Sequence, residues 1–527
     1  MPTSTPESES PSPGSASGLA ALASLVRESD VGLLDPLPAG TRVALQSSDG
    51  AYLRHLLMVE ARWTAVLADH GITTREHAEA AAAAADPGEY DLVSLAHAGQ
   101  DGGNPLIPAL KAMRARVAAI VRAADAARSA ESASSARPGT GGTGGTASAA
   151  LHVGATSQDI MDTAMMLMAA QVSATILEDL RAAVGSLVDL ATEHRATPMV
   201  ARSLAQHSLP STFGLRAAGW LSGLAQAGRR LEAAASELPV QWGGAAGTMA
   251  ALAGRLDRER RAGTLETGVD AFTLVEELAG HLGLAAPAGP WHTNRMPVTG
   301  VASALADVVA ACGKIANDVL ISARIENGEL GEPMAAGRGG SSAMPHKQNP
   351  VLSVMIHAGA LSAPGSLAQV LTAAGAANEE RPDGAWHAEW PALRQLMRTA
   401  GGAAARTAEL VAGLRVNTER MAANLDLVGP LLVSERLMAE LAPVLQEQAG
   451  GEPGSGKARL QEIVDQSLSE GGGGAGFRTL LREELPETVT DEELDGLLDP
   501  ANYTGEATTL VDRLVAEYRN FAEWSTT

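Results

Sequence analysis

Apolar residues recur along most of this chain at steps of three and four, the spacing of one helix face. From Asp159 to about Arg195 the apolar positions include Leu167, Met168, Val172, Ile176, Leu177, Leu180, Val184, Leu187 and Val188. From about Thr299 to Asn327 they include Val301, Leu305, Val308, Cys312, Ile315, Val319 and Ile321, with Gly328 placed as a C-terminal stop. A third long helix is predicted from near Pro210 to Leu238, carrying Phe213, Trp220, Leu221, Leu224 and Leu231. A fourth is predicted to begin after Asn349-Pro350, since proline suits a first helical turn. At 1.5 Å per residue such helices run to about 40 Å, so the pattern predicts an all-α protein built on a long helical bundle. Helices apolar around much of their circumference need more partners than one subunit offers, and this predicts oligomerisation.

Composition sharpens that picture. Among 527 residues only 3% are aromatic while 45% are hydrophobic, which favours close-packed helices over sheets. Basic residues number 39 against 61 acidic, a net charge of −22, which argues against a nucleic-acid partner. Cys312 is the single cysteine, so no intrachain disulfide and no multi-thiolate metal site can form. The first residues, Met1-Pro2-Thr3-Ser4-Thr5, do not read as a secretory leader, and no uninterrupted apolar run is expected to span a bilayer. The expectation is a cytoplasmic protein with no membrane partner. Residues 1–16 read as a disordered tail, and 128–149, with its PGTGGTGG run, as a flexible insertion. Gly-rich stretches at 449–456 and 471–476 interrupt the C-terminal part. The expected organisation is a helical N-terminal domain over 17–150, a central long-helix bundle over 151–395 and a helical C-terminal domain over 396–527.

The segment richest in chemistry runs Gly339-Gly340-Ser341-Ser342-Ala343-Met344-Pro345-His346-Lys347-Gln348-Asn349-Pro350. Two hydroxyls, a lysine and an amide follow a glycine pair that leaves backbone N–H groups accessible. Such a loop can present a serine to an anionic substrate, provided oriented N–H donors or a cation activate the serine. The plainer alternative is a Gly-Ser linker, which the continuation Met-Pro-x-Lys-x-Asn-Pro disfavours.

This loop resembles the signature of the fumarase/aspartase superfamily, Gly-Ser-Ser-x-Met-Pro-x-Lys-x-Asn. The resemblance implies Ser341 as catalytic base, with Lys347 and Asn349 on a substrate carboxylate and Ser342 and Met344 beside them. A second segment, His152-Val153-Gly154-Ala155-Thr156-Ser157-Gln158-Asp159, opens a predicted helix and is similar to another superfamily region. It implies His152, Thr156 and Ser157 as substrate contacts. A third, Ala201-Arg202-Ser203-Leu204-Ala205-Gln206-His207-Ser208, matches a region that usually reads Arg-Thr-His-x-Gln. Leu204 stands at the usual histidine place, and a histidine follows at His207. That displacement looks like the bacterial 3-carboxy-cis,cis-muconate cycloisomerases. The segments Gly103–Pro108, Gln241–Thr248, Pro290–Thr293, Trp386–Pro391 and Leu498–Tyr503 agree, over about residues 45–520. Glu379 departs from that pattern, since these relatives often carry histidine before Glu-Arg.

The resemblance therefore implies interconversion of 3-carboxy-cis,cis-muconate and 4-carboxymuconolactone, in the protocatechuate (beta-ketoadipate) route of aromatic degradation. A carboxylate adds within the molecule while a neighbouring carbon exchanges a proton. It further implies Ser341 and His207 as the catalytic pair and Arg202, Gln206, Thr248, His292, Arg295 and Arg338 as further substrate contacts. Trp291 is the tryptophan expected nearest the ligand. The implied partners are a small tricarboxylate and three further copies of the chain in a homotetramer, with no cofactor and no metal. Two alternatives stay open: a carbon–nitrogen lyase of the adenylosuccinate or argininosuccinate type that releases fumarate, and a catalytically silent relative. Leu204 counts against the first, and intact Ser341, Lys347 and Asn349 against the second.

Overall fold

A computed structural model describes residues 32–133, 144–340, 343–344, 347–469 and 474–523. The expected tail at 1–16 and the residues Ser341 and Ser342 lie outside them. The described chain is overwhelmingly helical, and its strands form only two short antiparallel pairs. The long helices fall close to where periodicity places them, at Ser157–Glu193, Phe213–Ser236, Met296–Ser322 and Val351–Gly375. One ends earlier than expected. Past Ser322 the Asn327 side-chain amide donates to the Ile321 carbonyl at 2.7 Å and Glu329 N–H to the Ser322 carbonyl at 2.9 Å, so the last turn is closed before Gly328 is reached.

The chain forms two compact units, each from three separate stretches. One comprises Met1–Val172, Ala235–Val301 and Ala368–Arg398, and the other Ser173–Ala234, Ala302–Leu367 and Thr399–Thr527. Contacts thus group the chain by alternation, whereas composition suggested consecutive blocks. In the first unit, helix Asp49–Asp69 packs against Arg75–Ala83, Leu106–Ala133 and Ala271–Leu282. Trp63, Val66, Leu67, Met113, Val117, Leu274 and Trp242 are fully or almost fully buried there, and the Trp63 and Trp242 rings lie 4.1 Å apart. The helix begins at Ser48, whose hydroxyl accepts from Ala51 N–H. In the second unit, Ser434–Gln448, Ser455–Ser469 and Gly474–Glu484 close around Leu437, Leu460, Phe477 and Leu481.

Two expectations need correction. The insertion at 128–149 is not uniformly loop: helix Leu106–Ala133 runs into it and Gly144–Ala149 forms a helical turn at its far end. Arg128 pairs with Glu76 at 2.6 Å, and Ala147 is fully buried. Alanine-rich flanks propagate helix more readily than the glycine run between them suggests. Second, Ser157–Glu193, Met296–Ser322 and Val351–Gly375 are each long and apolar enough to cross a membrane by composition. In Ser157–Glu193, 83% of the most apolar stretch is buried inside the protein, so that apolarity serves packing.

Candidate active site

In the first unit, three of the segments noted in the sequence meet at one carboxylate. Asp159, fully buried, sits in the first turn of helix Ser157–Glu193. It accepts from Thr156 N–H at 2.8 Å, from Gly243 N–H and Gly244 N–H at 2.9 Å each, and from His292 Nε2 at 2.8 Å. These bonds tie the 152–159 segment, the Gln241–Thr248 loop and the Pro290–Thr293 turn into one frame. Gly243 is required for this: a Cβ there would stand 2.8 Å from His292 Cε1. Four donors on one buried carboxylate leave it satisfied, so Asp159 is a structural hub.

Around that hub the predicted ligand contacts divide by exposure. His292 is buried with its Nε2 spent on Asp159. Thr156 is buried, and its hydroxyl accepts from Arg381 Nη1 at 2.8 Å. Ser157 and His152 are half-buried, and Thr248 is exposed. Nothing in the sequence alone singled out Arg381, which brings a guanidinium to the N-terminus of helix Ser157–Glu193, a place suited to anions. His152 has the unusual φ of +65°, and its Nδ1 lies 2.6 Å from Glu60 Oε1. Helix Asp49–Asp69 holds the same stretch through Trp63 Nε1 to the Val153 carbonyl at 2.9 Å and Tyr52 Oη to the Met161 carbonyl at 3.2 Å.

Arg295 lies deeper than its expected role as a ligand contact requires. Its side chain is 1% exposed and clamped by Asp162 at 2.6 and 3.0 Å and Glu389 at 2.6 and 3.1 Å. Two carboxylates share one guanidinium, and burial pushes Glu389 above the usual carboxylate range while Arg295 pulls it down. The Trp291 ring stacks 5.0 Å from Arg295 and donates through Nε1 to the Val240 carbonyl at 2.9 Å. Trp386 Nε1 donates to Asp162 at 2.9 Å. These residues form a buried polar network in the core of this unit.

The second unit carries the other group. Residues 201–208, expected as the approach to a helix, form a β-hairpin: Pro198–Ser203 pairs with Gln206–Thr212. The turn is Leu204-Ala205, with φ of +51° and +65°, the backbone of a type I′ turn. Arg202 and His207 stand opposite each other on one face. Arg202 makes a two-pronged contact with the buried Glu329, at 2.6 and 2.9 Å, and Asn424 Nδ2 donates to the same carboxylate at 2.8 Å. Arg202 and His207 line a cavity of about 890 Å³ that also receives Arg216, Lys314, Asp318 and Arg324. His207 Nδ1 is buried without a hydrogen-bond partner. Burial, and then the Arg202 charge, hold His207 below the ordinary imidazole value, against an opposing pull from Glu329. A neutral imidazole able to accept a proton results. Gln206 is exposed, and Leu204 at the tip is 97% exposed.

The described ends of the signature loop close on each other in this same unit. Asn349 N–H donates to the Gly339 carbonyl at 2.8 Å, and Gly340 pairs with Gln348. Gly339 has φ of +68°, and a Cβ on it would meet the Asn349 carbonyl oxygen at 2.5 Å. Glu332 accepts from Leu352 N–H at 3.0 Å and Ser353 N–H at 2.7 Å, capping the helix that follows. Lys347 and Met344 are exposed and Asn349 is half-buried. Arg338 is paired with Glu409.

A family model described as lyase matches residues 141–365, a span that holds the 152–159 segment, the hairpin and the signature loop. A nitrosuccinate lyase from Streptomyces davaonensis is 42% identical over 492 residues, covering 92% of this chain and 94% of that protein. The chain belongs to the fumarase/aspartase lyase superfamily. A 3-carboxy-cis,cis-muconate cycloisomerase from Bradyrhizobium diazoefficiens is a more partial superfamily match, 37% identical over 70% of this chain and 77% of its own. Among solved superfamily structures, the 3-carboxy-cis,cis-muconate lactonizing enzyme of Pseudomonas putida aligns with a TM-score of 0.78 at 31% identity, covering 93% of this chain and 99% of that one. The helical fold and a lyase-family enzyme activity follow from this membership.

Proposed function

We propose that this chain is a carbon–nitrogen lyase acting on a nitro-substituted succinate, with the reaction named by its Streptomyces relative. The observation that carries the reading is the 42% identity to nitrosuccinate lyase over 92% of the chain, where the cycloisomerase likeness at 37% spans 70%. In the elimination, a base takes a proton from the carbon next to one carboxylate. The electron pair left behind forms the new C=C bond, the C–N bond to the adjacent carbon breaks, and nitrite departs with the bonding pair. The other product is a butenedioate, fumarate in the trans geometry. The carbanion-like state spreads its charge onto the neighbouring carboxylate, so cations and N–H donors aimed there lower the barrier.

The residues sort into these roles by chemistry. Ser341 is the proposed base, as the superfamily signature implies. Lys347, Asn349 and Arg381 are the proposed carboxylate partners, with Thr156, Ser157 and His152 at the helix N-terminus. Neutral His207 is the proposed second proton-handling group. The bond broken is of the carbon–nitrogen class that the sequence left open, with nitrite in place of an amine. A substrate with two carboxylates and a nitro group also suits Leu204, since eliminating a good leaving group demands less of an acid at that place. The proposed assembly is a homotetramer.

The second reading is the cycloisomerase, favoured by the Arg202-to-His207 pattern and by the Pseudomonas putida structural match. One experiment separates them. Purified protein is given nitrosuccinate, with nitrite measured colorimetrically and fumarate by absorbance, and separately given 3-carboxy-cis,cis-muconate, with loss of its ultraviolet band followed. Stoichiometric nitrite and fumarate are expected. Loss of the muconate band with no nitrite would replace the proposal by the second reading.

A further inference from the structure

Glu60 is a buried acid that the proposed mechanism does not use, on a helix far in sequence from every motif. It is 1% exposed, and its Oε1 lies 2.6 Å from His152 Nδ1. Its Oε2 is buried with no hydrogen-bond partner. A buried carboxylate with one oxygen unserved is costly, so the single contact it makes must matter to the arrangement. His152 in turn sits at φ +65°, a conformation uncommon for side-chain-bearing residues. Trp63, three residues along the same helix, anchors the Val153 carbonyl, and Arg114 Nη2 donates to the Leu151 carbonyl at 3.3 Å. Backbone on both sides of His152 is thus fixed, and Glu60 fixes the ring between.

We propose that Glu60 is a positioning residue for His152, orienting its imidazole toward the carboxylate of the bound substrate. A carboxylate only accepts, so the hydrogen of this pair is carried by Nδ1, and the contact settles which ring nitrogen is spent inward. Nε2 is the ring nitrogen left for a ligand, and the His152 side chain as a whole is 15% exposed. Four residues on, the hydroxyl of Thr156 and the guanidinium of Arg381 stand together at the helix N-terminus. An imidazole held rigidly four residues before Thr156 in the chain adds a further oriented group for a dicarboxylate. Partners that hold a histidine from behind in this manner cost roughly 10-fold to 100-fold in ligand affinity when removed from metal sites, and the lower figure is the one expected here.

This inference rests on His152 belonging to the substrate site. The test therefore uses fumarate, whose binding does not depend on the leaving group. The full-length protein is titrated calorimetrically with fumarate as wild type, Glu60→Leu, Glu60→Asp, Glu60→Gln and His152→Gln. KM and kcat are measured alongside with nitrosuccinate. Glu60→Leu and Glu60→Asp, neither of which reaches Nδ1, are expected to weaken fumarate by about tenfold and to raise KM more than they lower kcat. Glu60→Gln keeps an acceptor at the same place and is expected within about threefold of wild type. In the His152→Gln background, Glu60→Leu is expected to cost nothing further. Unchanged affinity in Glu60→Leu and Glu60→Asp overturns the proposal, as does a loss in Glu60→Gln equal to that in Glu60→Leu, or one that persists without His152. Should Glu60→Leu fail to fold, the Asp and Gln variants decide alone. Glu60-dependent fumarate binding without nitrite release would leave this inference standing and remove the assignment of the leaving group. Nitrite release indifferent to Glu60 would do the reverse.

Discussion

Asp159 illustrates how a single residue can be visible in a sequence and its weight be hidden. Its place in Thr-Ser-Gln-Asp marks a helix start, and the structure adds Gly243, Gly244 and His292 as partners from more than eighty residues away. Asp159→Ala leaves those buried donors unserved, and each unserved group costs about 1–3 kcal/mol. The expected outcome is a loss of well over 3 kcal/mol in urea unfolding, or no folded protein at all, while Asp159→Asn, still an acceptor on one side, retains part of the stability. A variant that unfolds at the wild-type urea midpoint would remove Asp159 from this role. His207 yields a prediction of another kind. Its proton affinity is lowered, so the neutral form predominates at pH 7 and is lost as pH falls below the ordinary imidazole value of about 6.5. If His207 accepts a proton in turnover, kcat/KM falls on the acid side with an inflection below 6.5, and His207→Gln loses that inflection along with roughly 10²–10⁴ of the rate. An inflection that survives in His207→Gln assigns the proton to another group. The motif residues themselves were legible, since each lies in a short run of unusual composition. Glu60, Glu329 and Arg381 were not: an acid or arginine in a helix or loop carries no local mark of the partner it will meet across the fold. For the same reason Arg295 reads as a ligand contact in sequence and proves to be spent on Asp162 and Glu389.

Elements tell a parallel story. The long helices were placed by periodicity to within a few residues, because each buries a continuous apolar stripe that its sequence must spell out. The hairpin at Pro198–Thr212 was missed, and the reason is physical. Its strands are short, and the Leu204-Ala205 turn lacks the Asn, Asp or Gly that type I′ geometry favours. Two side-chain-bearing residues in left-handed conformation are each strained by about 1–2 kcal/mol. The fold sustains this turn by pairing Arg202 with Glu329 and by packing helix Thr418–Asp426 against the first strand. Leu204→Asn/Ala205→Gly is therefore expected to raise stability by about 1–2 kcal/mol, seen as a later urea midpoint. Since Leu204 is 97% exposed, no packing is lost in the subunit by its removal. A fall in stability would mean that the Leu204 side chain is buried against something in solution, and activity measured on the same variant would show whether that contact bears on the substrate.

At the scale of the whole molecule, the helix Val351–Gly375 is the strongest argument for assembly. It directly follows the signature loop, and only 28% of its most apolar stretch is buried in one chain. Val354 is 51% and Leu361 71% exposed, and their seven-residue spacing puts both on one face. An apolar helix face of this length left to water in a chain carrying −22 would be a standing cost to solubility, and a second copy is the occupant that the homotetramer proposal supplies. Light scattering on the purified protein is expected to give about four times 53.9 kDa. Leu361→Lys, which sets a charge in the middle of that face, is expected to shift the mass downward and to cut activity in step, without lowering the helix content read by circular dichroism. An active species of one chain's mass would sink the assembly proposal, and Leu361→Lys at full tetramer mass would place the subunit contact on a different face from this helix.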